Sequence, residues 1–317
     1  MATNWKPYSI MIRTIHGVFS ARQRTASPGT FTQQSSPFIS TDEILGLQYL
    51  NNKFWAVGTS AKLAESTDGI TWTQRSSSFG TSLIYDITFG QGLFVAVGGT
   101  GKLATSTTNG LSWIQRASSF ITTSIFNISF ANNTFVAVGA SGKIATSTDG
   151  ITWTQVADSS FGTSFIYGVT YGNGIFVAVG ASGKIATSSD NGATWTQRVS
   201  GFGSSQINSV IYANSLFVAV GADGKIGTSP DGATWIQRTN PFSGLAIKDI
   251  GYGSDIFTAV AVNGQIAYSI EGRNWSSVVS SFGTTNINTI TYGLVNLTNG
   301  FVIAGAEGKI ATSTVAN

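Results

Sequence analysis

Four aspartates recur at one place along this chain, Asp68, Asp149, Asp190 and Asp231, each a few residues ahead of a tryptophan: Trp72, Trp153, Trp195 and Trp235. Carboxylates at fixed spacing suggest catalysis or calcium binding. A short Asp side chain that accepts backbone N–H groups inside a tight turn accounts for them without either, with each Trp packed between neighbouring units. We assign all eight to structure. A second recurring set, Lys62, Lys102, Lys143, Lys184, Lys225 and Lys309, has Gln265 in the seventh place. It accompanies Phe38, Phe79, Phe120, Phe161, Phe202, Phe242 and Phe282, in segments close to Ser-Ser-Phe-Gly-Thr-Ser. Ammonium groups and hydroxyl-flanked aromatics have the chemistry to hold sugars or an acidic partner. The competing account makes each Phe a plug between units and each Lys a solvated turn residue. We take the phenylalanines as plugs and carry the six lysines forward as the candidate ligand- or partner-binding face. Nothing calls for a cofactor or a metal: the chain has no cysteine, so thiolate sites are excluded, and its one histidine is His16.

The elements that must position these residues are repeats. The phrase Gly-Lys-Ile-Ala-Thr-Ser-Thr or a close variant begins at Ala61, Gly101, Gly142, Gly183, Gly224, Gly264 and Gly308, at intervals of 40, 41, 41, 41, 40 and 44 residues. A period of that size defines a supersecondary unit rather than a domain. In the unit spanning residues 123–158, strands are predicted over 123–130, 134–140, 142–148 and 151–156, with Gly, Asn, Asp or Ser at every junction. Four short strands per unit make one propeller blade. Amphipathic stretches of ten or more residues, which helical repeats of similar period require, are missing. The aromatic of the fourth strand also occurs seven times, and its first copy, Phe31, precedes the first complete unit, whereas the chain ends just after a third strand. The expected fold is therefore an all-β, seven-bladed propeller over residues 27–317, in which an N-terminal strand joins the C-terminal blade and leaves no open edge at the seam.

Ser188-Ser-Asp190-Asn-Gly192-Ala-Thr194-Trp195 is a full Ser-x-Asp-x-Gly-x-Thr-Trp Asp box. Ser66-Thr-Asp68-Gly69, Ser147-Thr-Asp149-Gly150 and Ser229-Pro-Asp231-Gly232 are shorter versions, while Thr108-Asn109-Gly110 and Ile270-Glu271-Gly272 depart further. On these residues the chain resembles the Asp-box (BNR, sialidase-type) repeat propellers, over about residues 27–317. The resemblance implies a fold, and it implies that these turns lie on the face opposite any active site. It also poses glycoside hydrolysis as a question. A sialidase-like enzyme needs an arginine cluster for the substrate carboxylate, a Tyr–Glu nucleophile pair and an acid Asp. Arg75, Arg116, Arg198 and Arg238 instead occupy one equivalent place in four units, on the rim. The carboxylates considered beside the turn aspartates, Glu65, Glu271, Glu307, Asp42 and Glu43, supply no such pair. No enzyme is expected.

Charged residues are 10% of the chain and apolar ones 42%, giving a neutral, hydroxyl-rich surface around a sizeable core. The net charge of +3 resides in residues 1–26, where Lys6, Arg13, Arg22 and Arg24 stand without an acid; the remainder has 13 basic and 14 acidic residues. A near-neutral body argues against nucleic acid as partner. No apolar run approaches the roughly 20 residues of a membrane helix, and no cleavable signal is evident. Residues 1–26 fit no blade, and we read them as a docking arm through Trp5, Lys6, Tyr8, Arg13, Arg22 and Arg24, with an extra strand around Gly17 as the alternative. Regular propellers with a short arm, no cysteine and a Ser/Thr/Gly-rich surface look like those of tailed-phage structural proteins. The expectation is a non-enzymatic virion decoration or host-recognition protein, with other virion proteins bound through the arm and glycans as ligand. A free multivalent lectin is the alternative, secreted or cytoplasmic. A likeness to photosystem II assembly-factor propellers comes third, and a sialidase-like glycosidase last.

Overall fold

The Val-, Ile- and Phe-rich stretches, bounded by Gly, Asn and Ser, fold as seven four-stranded antiparallel sheets arranged as a propeller. The computed structural model describes residues 27–315, so the arm residues Trp5, Lys6, Tyr8, Arg13, Arg22 and Arg24 lie outside the described residues, as does Gly17. In blade two the strands Ile84–Gly90, Leu93–Gly98, Leu103–Ser106 and Ile114–Arg116 succeed one another outward from the axis. The innermost strands of the other blades are Ile44–Leu50, Ile125–Ala131, Ile166–Gly172, Ile207–Ala213, Ile247–Gly253 and Ile287–Val295, and neighbours touch around the ring.

Closure follows the expected offset. The strand Thr32–Gln34 pairs antiparallel with Ile310–Thr314, Thr32 opposite Thr312 and Gln34 opposite Ile310, and so becomes the outermost strand of blade seven. Both later strands of the third unit are shorter than predicted. Gly142 belongs to a one-turn 3-10 segment, Ala140–Gly142, in which Ser141 and Gly142 both have positive φ, so pairing starts at Ile144. The outermost strand is only Thr154–Gln155, because the aspartate turn retains the chain through Trp153.

Each of the seven core clusters straddles two neighbouring blades, so no blade buries its faces alone. Val136, Val138 and Ile144 of blade three pack with Phe161, Phe176 and Trp195 of blade four, and Phe31 seals the gap between blades six and seven. The connector phenylalanines Phe79, Phe161 and Phe202 are fully buried in such gaps, which bears out their reading as plugs. On the side remote from the connectors, an aromatic late in each innermost strand stacks on a phenylalanine of the next strand, with ring centroids 4.4 Å apart for Phe130–Phe135 and 5.1 Å for Tyr292–Phe301. Several of these rings also lie against a glycine of the preceding blade: a Cβ at Gly90 would stand 2.3 Å from Phe130 Cγ, and one at Gly172 2.0 Å from Tyr212 Cγ. Gly90 is thus fixed by close approach. Gly90→Ala should cost about 1–3 kcal/mol through overpacking, read as a lowered midpoint of thermal unfolding; an unchanged midpoint would contradict this packing.

Candidate functional site at the channel mouth

The recurrent aspartates hold their own turns. Asp149 Oδ1 accepts from the backbone N–H groups of Ile151 (2.8 Å) and Thr152 (2.7 Å) and from Ser147 Oγ (2.9 Å), and Trp153 Nε1 donates to Gly150 O at 3.2 Å. Asp190 takes both the N–H and the hydroxyl of Thr194, Asp231 takes the N–H groups of Ala233 and Thr234, and Asp68 those of Ile70 and Thr71. Donors aimed at the charged form push Asp149, Asp190 and Asp231 down to about 2. Such groups are ionised at neutral pH and bonded through Oδ1 within their own turns, which fits the structural assignment. In the divergent unit Thr108 Oγ1 replaces the carboxylate and accepts from Ser112 N–H at 2.9 Å. Where Glu271 stands instead, Trp275 Nε1 is buried without a partner.

The six lysines lie on the opposite face, in the turns between second and third strands, and each is engaged within the fold. Lys102, Lys143, Lys184 and Lys225 donate to the carbonyl oxygens of Phe79 (2.6 Å), Phe120 (3.1 Å), Phe161 (2.8 Å) and Phe202 (2.8 Å). Lys62 pairs with Asp42, and Lys309 reaches Thr285 Oγ1 at 2.6 Å and Glu307 at 2.8 Å. These are latches that hold each connector over its blade gap. The six lysines proposed as a binding face are thus tied to the connectors, and in four blades the ammonium adds a second donor to a carbonyl that also accepts a backbone N–H, such as Ser164 N–H on Phe161 O at 3.1 Å. The arginines likewise stay within their blades: Arg116, Arg198 and Arg238 donate Nε to Thr105, Thr187 and Thr228 at 2.8–3.0 Å, and Arg75 pairs with Glu65. They do not converge.

What does converge is a row of residues set apart by a β-bulge. Each innermost strand shifts register by one residue near its start, between Ile84 and Asp86 in blade two and at the equivalent place in all seven. The extra residue re-aims its side chain, so two successive side chains face the axis. Around the ring the extra residues are Leu45, Tyr85, Phe126, Tyr167, Asn208, Lys248 and Asn288, and all line the upper part of a central channel of about 450 Å³. The mouth opens on the lysine-turn face, since the residue before each innermost strand bonds to the 3-10 turn: Leu83 O accepts from Gly99 N–H and Phe165 O from Ala181 N–H. It is asymmetric. Blades two to four give an aromatic wall in which Phe126 lies 5.2 Å from Tyr85, 5.5 Å from Tyr167 and 5.7 Å from Phe165, which is 44% exposed. Blades five to seven give two amides and an ammonium. Asn208 and Asn288 donate across the gap to Ile247 O (2.6 Å) and Ile44 O (3.1 Å).

In five of the seven blades the next residue of the strand is polar, namely Asp86, Asn127, Ser209, Asp249 and Thr289, and these form a ring deeper in the channel. Asp86 accepts from Gln48 Nε2 (3.0 Å), Asn127 Nδ2 (2.7 Å) and Ile128 N–H (3.1 Å), bridging three blades. Asn127 Oδ1 accepts in turn from Val169 N–H at 2.9 Å. Across the channel Asp249 accepts from Ser209 Oγ (2.7 Å), Thr289 Oγ1 (3.1 Å) and the N–H groups of Ile250 and Ile290, while Thr289 Oγ1 takes Leu47 N–H at 3.1 Å. Burial pushes the Asp86 carboxyl up to about 7, against the lowering effect of its donors and helped by the charge of Asp249, whose own pKa is raised by burial too. Sequence reasoning missed both carboxylates and the whole aromatic wall. The available signal was the pair of positions after the isoleucine that opens each innermost strand, where Tyr-Asp, Phe-Asn, Tyr-Gly and Lys-Asp break an otherwise uniform repeat. Among the described residues no group of three or more His, Asp or Glu side chains is placed to hold a metal, and no helix is long and apolar enough to cross a membrane.

The comparisons agree with this architecture. Residues 85–215 match the model of a family described as the DUF6242 beta propeller domain. No curated protein matches. Among solved structures the chain is similar to YCF48 from Cyanidioschyzon merolae, at 18% identity with a TM-score of 0.71 over 90% of this chain and 98% of that one. It is equally similar to YCF48 bound to D1 peptide, at 18% identity and 0.71 over 91% and 95%. Virginiamycin B lyase from Staphylococcus aureus superposes at 0.79 with 13% identity over 90% and 99%. At such identities the likeness is one of fold alone: a seven-bladed propeller of four-stranded antiparallel blades.

Two outcomes follow. Lys184→Met removes the ammonium from the Phe161 carbonyl, which keeps only the Ser164 N–H at 3.1 Å, and should destabilise by about 0.5–1.5 kcal/mol, measured by denaturant unfolding. Asp86 binds its proton more tightly folded than unfolded, so its contribution to stability is greatest near pH 4 and is lost as pH rises to about 7. Asp86→Asn should therefore flatten the fall in melting temperature between pH 5 and pH 8, checked by melts across that range.

Proposed function

We propose that the chain is a non-catalytic recognition propeller that binds glycans at the aromatic half of its channel mouth. The observation that carries this reading is the asymmetry of the bulge ring. Positions that perform structural work are repeated almost without change from blade to blade, whereas the seven extra residues differ, and three consecutive blades place aromatics there. Ring faces above a channel lined by Gln48, Ser129, Thr170 and Thr291 combine a stacking surface with hydroxyl and amide partners. Sugars need both, since each pyranose has an apolar C–H face and a hydroxyl rim. The hydroxyl-rich connectors lie on the same face.

A non-catalytic role is supported by the channel carboxylates themselves. The oxygens of Asp86 and Asp249 are occupied by protein donors that tie blades together, which is the arrangement of a structural pin rather than of an acid awaiting a substrate. The placement of this module on a virion, with residues 1–26 as its attachment, rests on composition: a near-neutral, hydroxyl-rich body and a basic arm. YCF48 has been solved with a D1 peptide on the same fold, and a peptide is the alternative ligand.

The test is a glycan array followed by calorimetry on the full chain. The double variant Phe126→Ala/Tyr167→Ala should lose about tenfold or more in affinity, from two ring contacts of roughly 0.5–1.5 kcal/mol each, while Lys184→Met keeps wild-type affinity in the folded fraction. Wild-type affinity in the aromatic double variant would overturn the assignment of the mouth.

A further inference from the structure

The chain has eight lysines among its described residues, and seven of them are engaged: Lys53 with Glu65 at 2.9 Å, Lys62 with Asp42, Lys309 with Glu307, and four with phenylalanine carbonyls. Lys248 is the exception. Among the described residues it makes no hydrogen bond and no ion pair. It is the extra residue of blade six's bulge, three blades around the ring from Phe126, and so faces the aromatic wall across the mouth. Its neighbour Asp249 forms no ion pair with it: the Asp249 oxygens are turned to Ser209, Thr289 and the N–H groups of Ile250 and Ile290. Asp86 is enclosed by its own donors on the opposite side. The mouth therefore presents one cation without a protein acceptor, in an otherwise neutral rim, above a channel of hydroxyls and amides.

An ammonium in that position complements an anion on a ligand whose ring lies on the aromatic wall. A sugar ring meets the rest of the site better than an apolar side chain does, since the channel beneath the mouth is polar. We propose that Lys248 is the subsite for a carboxylate borne on a sugar ring, so that the mouth selects acidic glycans over neutral ones. The inference rests on the glycan reading above and adds the charge of the ligand. Hexuronates and sialic acids share that chemistry and differ in how far the carboxylate stands from the ring's C–H face.

The experiment compares four probes on the full chain by calorimetry: an oligogalacturonate, a neutral galacto-oligosaccharide of the same length, sialyllactose and lactose. At least one acidic probe should bind more tightly than its neutral counterpart, with affinity that falls as salt is raised. Lys248→Gln should weaken that probe roughly tenfold, the size of a charge-assisted hydrogen bond, and leave the neutral sugar unchanged. Which acidic probe responds identifies the source. Equal binding of acidic and neutral partners, with Lys248→Gln silent and Phe126→Ala/Tyr167→Ala weakening both, overturns the carboxylate subsite and leaves the glycan reading intact. Failure of all four sugars, with a glutamate-rich peptide bound in a Lys248-dependent manner, overturns both in favour of an acidic peptide.

Discussion

Every feature of this molecule depends on the fact that a blade of four short strands has two apolar faces and can bury neither alone. The seven core clusters each lie between blades, and the rings of Tyr212 and Phe130 rest on glycines of the preceding blade. Stability is therefore a property of the closed circle. Three residues, Thr32–Gln34, close it by supplying the outer strand of blade seven, and Phe31 adds the aromatic that this blade gap requires.

Once closure is secured, the fold divides its side chains by role. The aspartate turns and lysine latches recur because each answers a need common to several blades: a turn whose N–H groups require an acceptor on one face, met by Asp in four blades, and a connector to be tied over its gap on the other, met by a Lys–carbonyl bond in four. The polar ring of Asp86, Asn127, Asp249 and Thr289 is intermediate in character. It recurs as a position but not as a residue type, and where Gly46 and Gly168 stand in it no side-chain link is made. The bulge residues above it have no structural duty in common. That freedom lets chemistry differ from blade to blade on an almost symmetric scaffold.

Much of the architecture was legible in the sequence because periodicity is a direct record of packing. The seven copies of the third-strand phrase counted the blades, and Phe31 standing ahead of the first unit foretold the seam. The aspartate turns were readable too, since Asp, Gly and Trp at fixed spacing allow few other conformations. That the lysines tie down the connectors was not legible for a three-dimensional reason: in four blades the acceptor is a carbonyl 23 residues upstream in the chain, which no side-chain pattern reveals. Tyr85, Phe126 and Tyr167 were overlooked because strict alternation turns a strand's second residue away from its third, and only the bulge brings both to the axis. Asp86 and Asp249 were hidden among apolar strands for the same reason.

The bulge has a consequence for how such a protein changes over generations. A residue inserted into a strand and left outside the ladder contributes little to pairing, so its replacement leaves register and core as they were, save at Asn208 and Asn288, whose amides also bond to the next blade. Seven such residues gathered around one opening form a keyboard in which each key can be altered separately while the instrument stays in tune. Change at the channel mouth is thereby largely uncoupled from the demands of folding.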